Sequence, residues 1–411
     1  MKISHLQCSL CKTIFSPNEV IYTCPHDGGN LDVIPDYENI QQTVDFKEIL
    51  SSPRQSIWRY LPLLPLSDPG FEATPLHRVG WTPIYAPKQL THQLNVPSLW
   101  IKDESPNPSA SFKDRASAVV LAKASQEGVR TVVVASTGNA GAATAAMGAA
   151  IGLDTVILAP KNAPPAKIAQ LLVFGARVYL VDGNYDQAFE LSIAASKEFG
   201  WYNRNTGYNP YTTEGKKTAA FEIWEQVLLN LAPEQTLNIV IPVGDGNIIT
   251  GIHKGFKDLL MLGWIEHMPR LIGVQANGSA AIADAWQTNS HEIVPVQANT
   301  IADSISVNLP RDGWRALRAV RESNGCFVKV SDGEILTAIT SLGKAGIFAE
   351  PAAAAAYAGL VKGINDGSIS RENPVLVINT GSGLKDIKAC MQAVAQAQIV
   401  EPNIQSLRKF I

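Results

Sequence analysis

The chain has 411 residues, of which 46% are hydrophobic and only 17% charged. Such a composition describes a packed globular protein of about two or three domains and excludes a disordered or coiled-coil one. Its net charge of −3 supplies no field that would draw it to nucleic acid or to anionic lipid. No apolar run approaches the ~18 residues of a membrane span and no apolar core stands near the N-terminus, so a cytoplasmic protein without a membrane partner is expected.

Cys8-Ser9-Leu10-Cys11 is followed, twelve residues later, by Cys24-Pro25-His26-Asp27-Gly28-Gly29. This spacing looks like two knuckles of a small zinc ribbon with Cys8, Cys11, Cys24 and Asp27 as ligands. His26 is an alternative fourth ligand, and a ribbon that folds without metal and a set of reactive thiols are the other readings. Cys326 and Cys390 are the only cysteines left, which makes no disulfide framework. Residues 1–35 therefore read as a zinc-ribbon-like module. Residues 36–74, rich in Pro, Ser and Asp, read as a wrapping linker whose Trp58 and Tyr60 must pack on something.

Turns and short strands are expected from 73 to 85, and a strand at 98–104 ends just before Asn107-Pro108-Ser109-Ala110-Ser111-Phe112-Lys113-Asp114-Arg115. Here a lysine follows a Pro/Ser-rich turn at the head of an apolar helix. Ser109 or Ser111 is expected to cap that helix, with Asp114 complementing its first turn. Arg115 at the same positively polarised end requires a carboxylate or a bound anion to balance it.

Beyond residue 130 short apolar strands, at 131–135, 155–159, 177–181, 238–243, 271–276 and 375–380, alternate with helical patterns that include 333–346 and 350–363. That alternation predicts βα units and an α/β fold with parallel sheet covered on both faces. In such folds ligands bind beyond the carboxyl ends of the strands, where three loops stand out. Ser136-Thr137-Gly138-Asn139-Ala140-Gly141 opens an Ala-rich helix and suits a carboxylate, although plain helix capping would use the same residues. Gly244-Asp245-Gly246-Asn247 is small enough for backbone amides to converge on a phosphate at a helix start, provided that Asp245 points away. Thr380-Gly381-Ser382-Gly383-Leu384-Lys385-Asp386 follows the last strand. Neither GxxxxGK[ST] nor a strand-linked GxGxxG occurs, which disfavours a nucleoside triphosphate, a dinucleotide and a nicotinamide oxidoreductase. A lysine able to form a Schiff base, a phosphate cradle, a carboxylate loop and a strand-end hydroxyl together are what pyridoxal phosphate chemistry uses.

With SFKDR around Lys113, STGNAG from Ser136 and TGSGLKD from Thr380, the chain resembles the threonine synthases over roughly residues 75–395. These belong to the fold-type II, tryptophan-synthase-β-like group of pyridoxal phosphate enzymes. The resemblance implies two parallel-rich α/β domains with the cofactor between them: a large one from 75–130 and 213–395, a small one from 131–212, and a tail at 396–411. It also implies a homodimer. By the same resemblance Lys113 would tether the cofactor aldehyde and move protons, Asn139 would hydrogen-bond the cofactor's 3′-oxygen, and Gly244, Asp245, Gly246 and Asn247 would seat its phosphate. Thr380 would face the pyridine nitrogen, where a neutral hydroxyl makes the ring a weaker electron sink and favours elimination and replacement over transamination. Ser136, Thr137 and Ala140 would surround the substrate carboxylate. Lys102, Asn205 and Thr206 would contact the leaving phosphate of O-phosphohomoserine, an amino-acid phosphate ester that this family converts with water to L-threonine and phosphate.

The chain departs from the family pattern in two places. Thr212 stands where an arginine often grips the substrate phosphate, and a threonine hydroxyl does not replace bidentate arginine. The lysine motif reads NPSASFKDRA where NPTGSFKDRG is usual. Other type II reactions therefore stay open: a cysteate-synthase-like replacement on O-phosphoserine, or a threonine or serine dehydratase.

Overall fold

The computed structural model describes residues 3–411. Its strands are, in chain order, β1 (Ile3–Cys8), β2 (Ile14–Phe15), β3 (Leu31–Pro35), β4 (Ile84–Tyr85), β5 (Leu99–Asp103), β6 (Thr131–Ala135), β7 (Asp154–Pro160), β8 (Arg177–Val181), β9 (Tyr202–Asn203), β10 (Asn238–Pro242), β11 (Arg270–Ala276), β12 (Cys326–Val330) and β13 (Val375–Asn379). They form three sheets.

The N-terminal sheet, in order β2-β1-β3, is antiparallel. On β3 the residues Leu31, Val33 and Pro35 are buried and the two between them less so, the period-two pattern of a strand with one face on a core. Residues 36–74 form two short helices, Tyr37–Thr43 and Phe46–Leu50, then a 3-10 segment Ile57–Leu63. Trp58 and Tyr60 are fully buried. Trp58 joins the cluster that unites Leu6 and Phe15 of the first sheet with Val119, while Tyr60 packs with Phe221 and Ile239 of the main core. This segment thus fastens the N-terminal sheet to the rest of the protein.

The six-stranded sheet runs β12-β11-β10-β13-β5-β4 and is parallel except at the β4 edge. Val240, Ile272, Val377 and Ile101 align across it. A four-stranded parallel sheet, β8-β7-β6-β9, lies apart from it. Strands such as β10 and β13 are buried along their whole length, because helices cover both faces. β12 was not among the expected strands, and the turns and short strands expected over 73–85 are a 3-10 turn, Pro75–Arg78, and β4. No described helix is long and apolar enough to cross a membrane.

The helix Lys113–Gln126 starts differently from the capped start expected. Neither serine caps it; instead the backbone N–H and hydroxyl of Ser109 donate to the carboxylate of Asp114. Phe112 N–H donates to the Thr380 carbonyl at 2.8 Å, and Ser111 bridges to Gly381. Tertiary bonds to the end of β13 therefore fix where the lysine sits. The helix Tyr211–Gln226 crosses it closely: a Cβ on Gly215 would lie 2.1 Å from the Arg115 carbonyl oxygen, so only glycine allows this approach.

Candidate active site

The carboxyl ends of β6, β10 and β13 converge on a cavity of about 630 Å³ and a narrower one of about 50 Å³. Both are lined by Lys113, Thr206, Asp245 and Ser304. Two helices point their first turns here without a side-chain cap. One is Asn139–Ile151 after Gly138; the other is Asn247–Met261 after Gly246. Uncapped first-turn N–H groups carry partial positive charge and bind anions. Gly246 is held at φ +94°, and a Cβ there would lie 2.8 Å from the Asp312 carbonyl oxygen, so the turn that opens the second helix requires glycine.

Lys113 opens onto both cavities. Desolvation lowers its amine below the ordinary lysine value of 10.5, against the opposing pull of Glu350 and Asp245. A fraction of uncharged amine is what nucleophilic attack on an aldehyde requires. Gly244, Asp245, Gly246, Asn247 and Thr380 line the narrower cavity. Asp245 accepts from the Arg311 N–H at 3.2 Å, and burial raises its carboxyl, with that N–H, Lys216 and Lys113 pulling the other way. Ser136, Thr137, Asn139 and Ala140 line the larger one. The Asn139 amide donates to both oxygens of Glu350, at 2.9 and 3.1 Å, and Thr380 Oγ1 lies 3.4 Å from the same carboxylate.

Two expected substrate contacts lie elsewhere. Lys102 has a fully buried side chain on β5, ion-paired to Glu222 at 2.8 Å and bonded to Gln226 and the Thr82 carbonyl. It lines neither cavity, because the interior carboxylate claims its charge. Asn205 is likewise spoken for: its Oδ1 accepts from Ala135 N–H and its Nδ2 donates to Ser192 Oγ, which clamps the end of β6. Of the three residues assigned to the leaving phosphate, Thr206 alone borders the cavities. Thr212 is fully buried and donates to the Asn209 carbonyl.

Sequence reasoning missed three charged residues of the site. Lys216, on the helix Tyr211–Gln226, lines the narrower cavity and donates to Asn247 Oδ1; burial and the neighbouring Lys113 and Arg204 push its amine well down. Arg204 lines the larger cavity from the end of β9. Glu350 precedes the helix Pro351–Asn365 and borders the narrower cavity, its carboxyl raised by burial against Asn139 and Lys113. The one sequence signal was Glu350-Pro351 before an Ala run, a helix start with Pro at N1.

Away from this site, one ligand atom each from Cys8, Cys11, Cys24 and Asp27 lie within 4.8 Å of one another. His26 is not in that group; its ring packs edge-on against Phe15.

The profile of the pyridoxal-phosphate dependent enzyme family matches residues 76–381. A threonine synthase of Methanosarcina acetivorans is 38% identical over 411 residues, covering 99% of this chain and 98% of that protein. The chain belongs to the threonine synthase family. A second threonine synthase, from Methanocaldococcus jannaschii, is 36% identical and covers 98% of each chain. Among solved structures, maize serine racemase superposes with a TM-score of 0.66 at 22% identity, over 79% of this chain and 94% of that one, and shares the fold. Against this threonine synthase framework the residues fit pyridoxal phosphate: an amine of lowered pKa, an uncapped helix start whose glycine cradle a Cβ would fill, and a strand-end hydroxyl all meet in one cavity.

Proposed function

We propose that this chain converts O-phosphohomoserine and water to L-threonine and phosphate, with pyridoxal phosphate as cofactor. The observation that carries this reading is the placing of Lys113 on two cavities, each bordered by the uncapped start of a helix, beside a family membership shown over the whole chain. When bound, pyridoxal phosphate supplies the electron sink that lets the substrate Cα–H ionise.

The chain's own residues have separate tasks in this scheme. Lys113 holds the cofactor covalently and, once released, takes the proton from Cα. The amides of Gly244, Asp245, Gly246 and Asn247, with Lys216 beside them, hold the cofactor phosphate. Thr380 would face the ring nitrogen and Asn139 the ring's 3′-oxygen when the cofactor is bound. Ser136, Thr137 and Ala140 orient the substrate carboxylate at the start of the helix Asn139–Ile151. A structural zinc on Cys8, Cys11, Cys24 and Asp27 belongs to the same proposal, supported by the convergence of those four ligand atoms and their Cys-rich chemistry. A cytoplasmic location and a homodimer complete it. Five unpaired cysteines favour a reducing compartment, and the dimer rests on the family resemblance and is tested by light scattering.

The test of the reaction is product analysis on the holoenzyme. O-phosphohomoserine should yield L-threonine and phosphate in equal amounts, whereas O-phosphoserine and serine should be poor substrates. Turnover of O-phosphoserine or serine in preference would replace this reading with a β-replacement enzyme or a dehydratase.

A further inference from the structure

Every other large arginine in the buried interior has a carboxylate partner: Arg115 has Glu104 and Glu222, Arg315 has Asp312 and Asp32, and Arg59 has Glu225. Arg204 is fully buried, yet among the described residues it forms no ion pair. Its backbone N–H donates to the Val133 carbonyl at 2.8 Å, which fixes it beside the end of β6. Two neutral hydroxyls then aim the side chain: Nε lies 3.1 Å from Ser117 Oγ, and Nη1 lies 2.9 Å from Thr206 Oγ1. Nη2 has no partner. An unpaired guanidinium group in a desolvated wall is costly unless an anion joins it. Burial lowers its pKa to about 10, so it is still charged at neutral pH.

We infer that Arg204 grips the phosphate that leaves the substrate, supplying the arginine charge that Thr212 does not. The inference rests on the threonine synthase reading for the identity of the substrate. Its place in the site selects among the three anions that reading brings. The cofactor phosphate belongs with Lys216 and the Gly244–Asn247 turn in the narrower cavity, which Arg204 does not line. The substrate carboxylate belongs to the uncapped helix start at Asn139. The phosphate ester is the remaining anion, and Arg204 lines the larger cavity that would hold it. The Thr206 hydroxyl accepts from Arg204, so its own proton is free to donate to the same phosphate. When the carbon–oxygen bond breaks, the electron pair leaves on the phosphate oxygen, and a fixed guanidinium meets the charge as it develops.

Calorimetric titration of inorganic phosphate into the holoenzyme, whose cofactor phosphate site is already filled, tests this. Arg204→Gln should raise the Kd for phosphate by at least about 30-fold, the scale of lost charge-assisted hydrogen bonds. Arg204→Lys keeps the charge without the fork and should raise it by a smaller factor. L-Threonine has the carboxylate but no phosphate, and its binding, read from the cofactor's visible spectrum, should be unchanged in both variants. The inference is overturned if the unaltered holoenzyme binds no phosphate, if Arg204→Gln binds it as tightly, or if L-threonine affinity falls in parallel, which would assign Arg204 to the carboxylate. If phosphate binding depends on Arg204 while O-phosphohomoserine is left intact, the anion site stands and the threonine synthase reading falls.

Discussion

The carboxylate of Glu222 and the guanidinium group of Arg115 meet 2.5 Å apart with neither side chain exposed. Glu104 lies on the far side of the arginine at 2.7 Å and Lys102 pairs with the same Glu222, so two cations face two anions in the interior. This pairing is the balance that Arg115 required at a helix start. Burial alone would raise the Glu222 carboxyl, but Arg115 and Lys102 together hold it at about 2. A depressed carboxylate stabilises the fold above its unfolded pKa near 4.5 and loses that contribution as pH falls through about 2. Glu222→Gln should therefore cost about 3–5 kcal/mol at neutral pH, with the gap to the unaltered chain narrowing as pH drops below 4.5. Denaturant unfolding at several pH values measures this, and equal stability at neutral pH would contradict it. In the same network Lys102→Met should lower stability while leaving the KM for O-phosphohomoserine unchanged.

Ala110 occupies the left-handed region with φ +63°, at the position where the usual lysine motif has glycine. An alanine there is strained by roughly 1 kcal/mol. Ala110→Gly should raise the melting temperature of apo and cofactor-loaded protein alike. A lowered melting temperature would show that the gain in unfolded-chain entropy outweighs the relief of strain.

The N-terminal sheet reaches the site's outer loops. Asn30 Nδ2 donates to the Gly207 carbonyl at 2.6 Å and to the Arg311 carbonyl at 3.3 Å. Protein purified without chelator should contain about one equivalent of zinc, and its removal should lower the melting temperature. Metal content under about a tenth of an equivalent would favour a ribbon that folds without it.

Because desolvation lowers the Lys113 amine, covalent reloading of apoprotein with pyridoxal phosphate should accelerate with rising pH. Its midpoint should lie below 10.5, since a buried amine loses its proton earlier. Stopped-flow absorbance would report the midpoint, and a value at or above that of free lysine would contradict the desolvated site.

Much of this arrangement was legible in the sequence. Apolar β-branched runs marked β6, β7, β10, β11 and β13, since strands buried on both faces leave no polar alternation to confuse them. Small residues after those strands marked the Ser136, Gly244 and Thr380 loops, because close backbone approach leaves a compositional trace. β12 was hidden by Lys329, a charge inside its apolar run. Lys102, Arg204, Lys216 and Glu350 were misplaced or missed for one physical reason: a buried charge is defined by partners distant along the chain. Nothing local to Lys102 announces Glu222, and nothing local to Arg204 announces that it has no carboxylate.

Lys113 is the proposed cofactor anchor, and the site contains a rival. Lys216 borders the same narrow cavity, and burial, together with Lys113 itself, lowers its amine still more strongly. Borohydride reduction of the holoenzyme, followed by peptide mass spectrometry, separates the two lysines. A pyridoxyl-phosphate adduct is expected on the peptide containing Lys113 and none on Lys216, with Lys113→Ala abolishing both the adduct and the cofactor's visible band. An adduct on Lys216 in the unaltered protein would contradict this assignment.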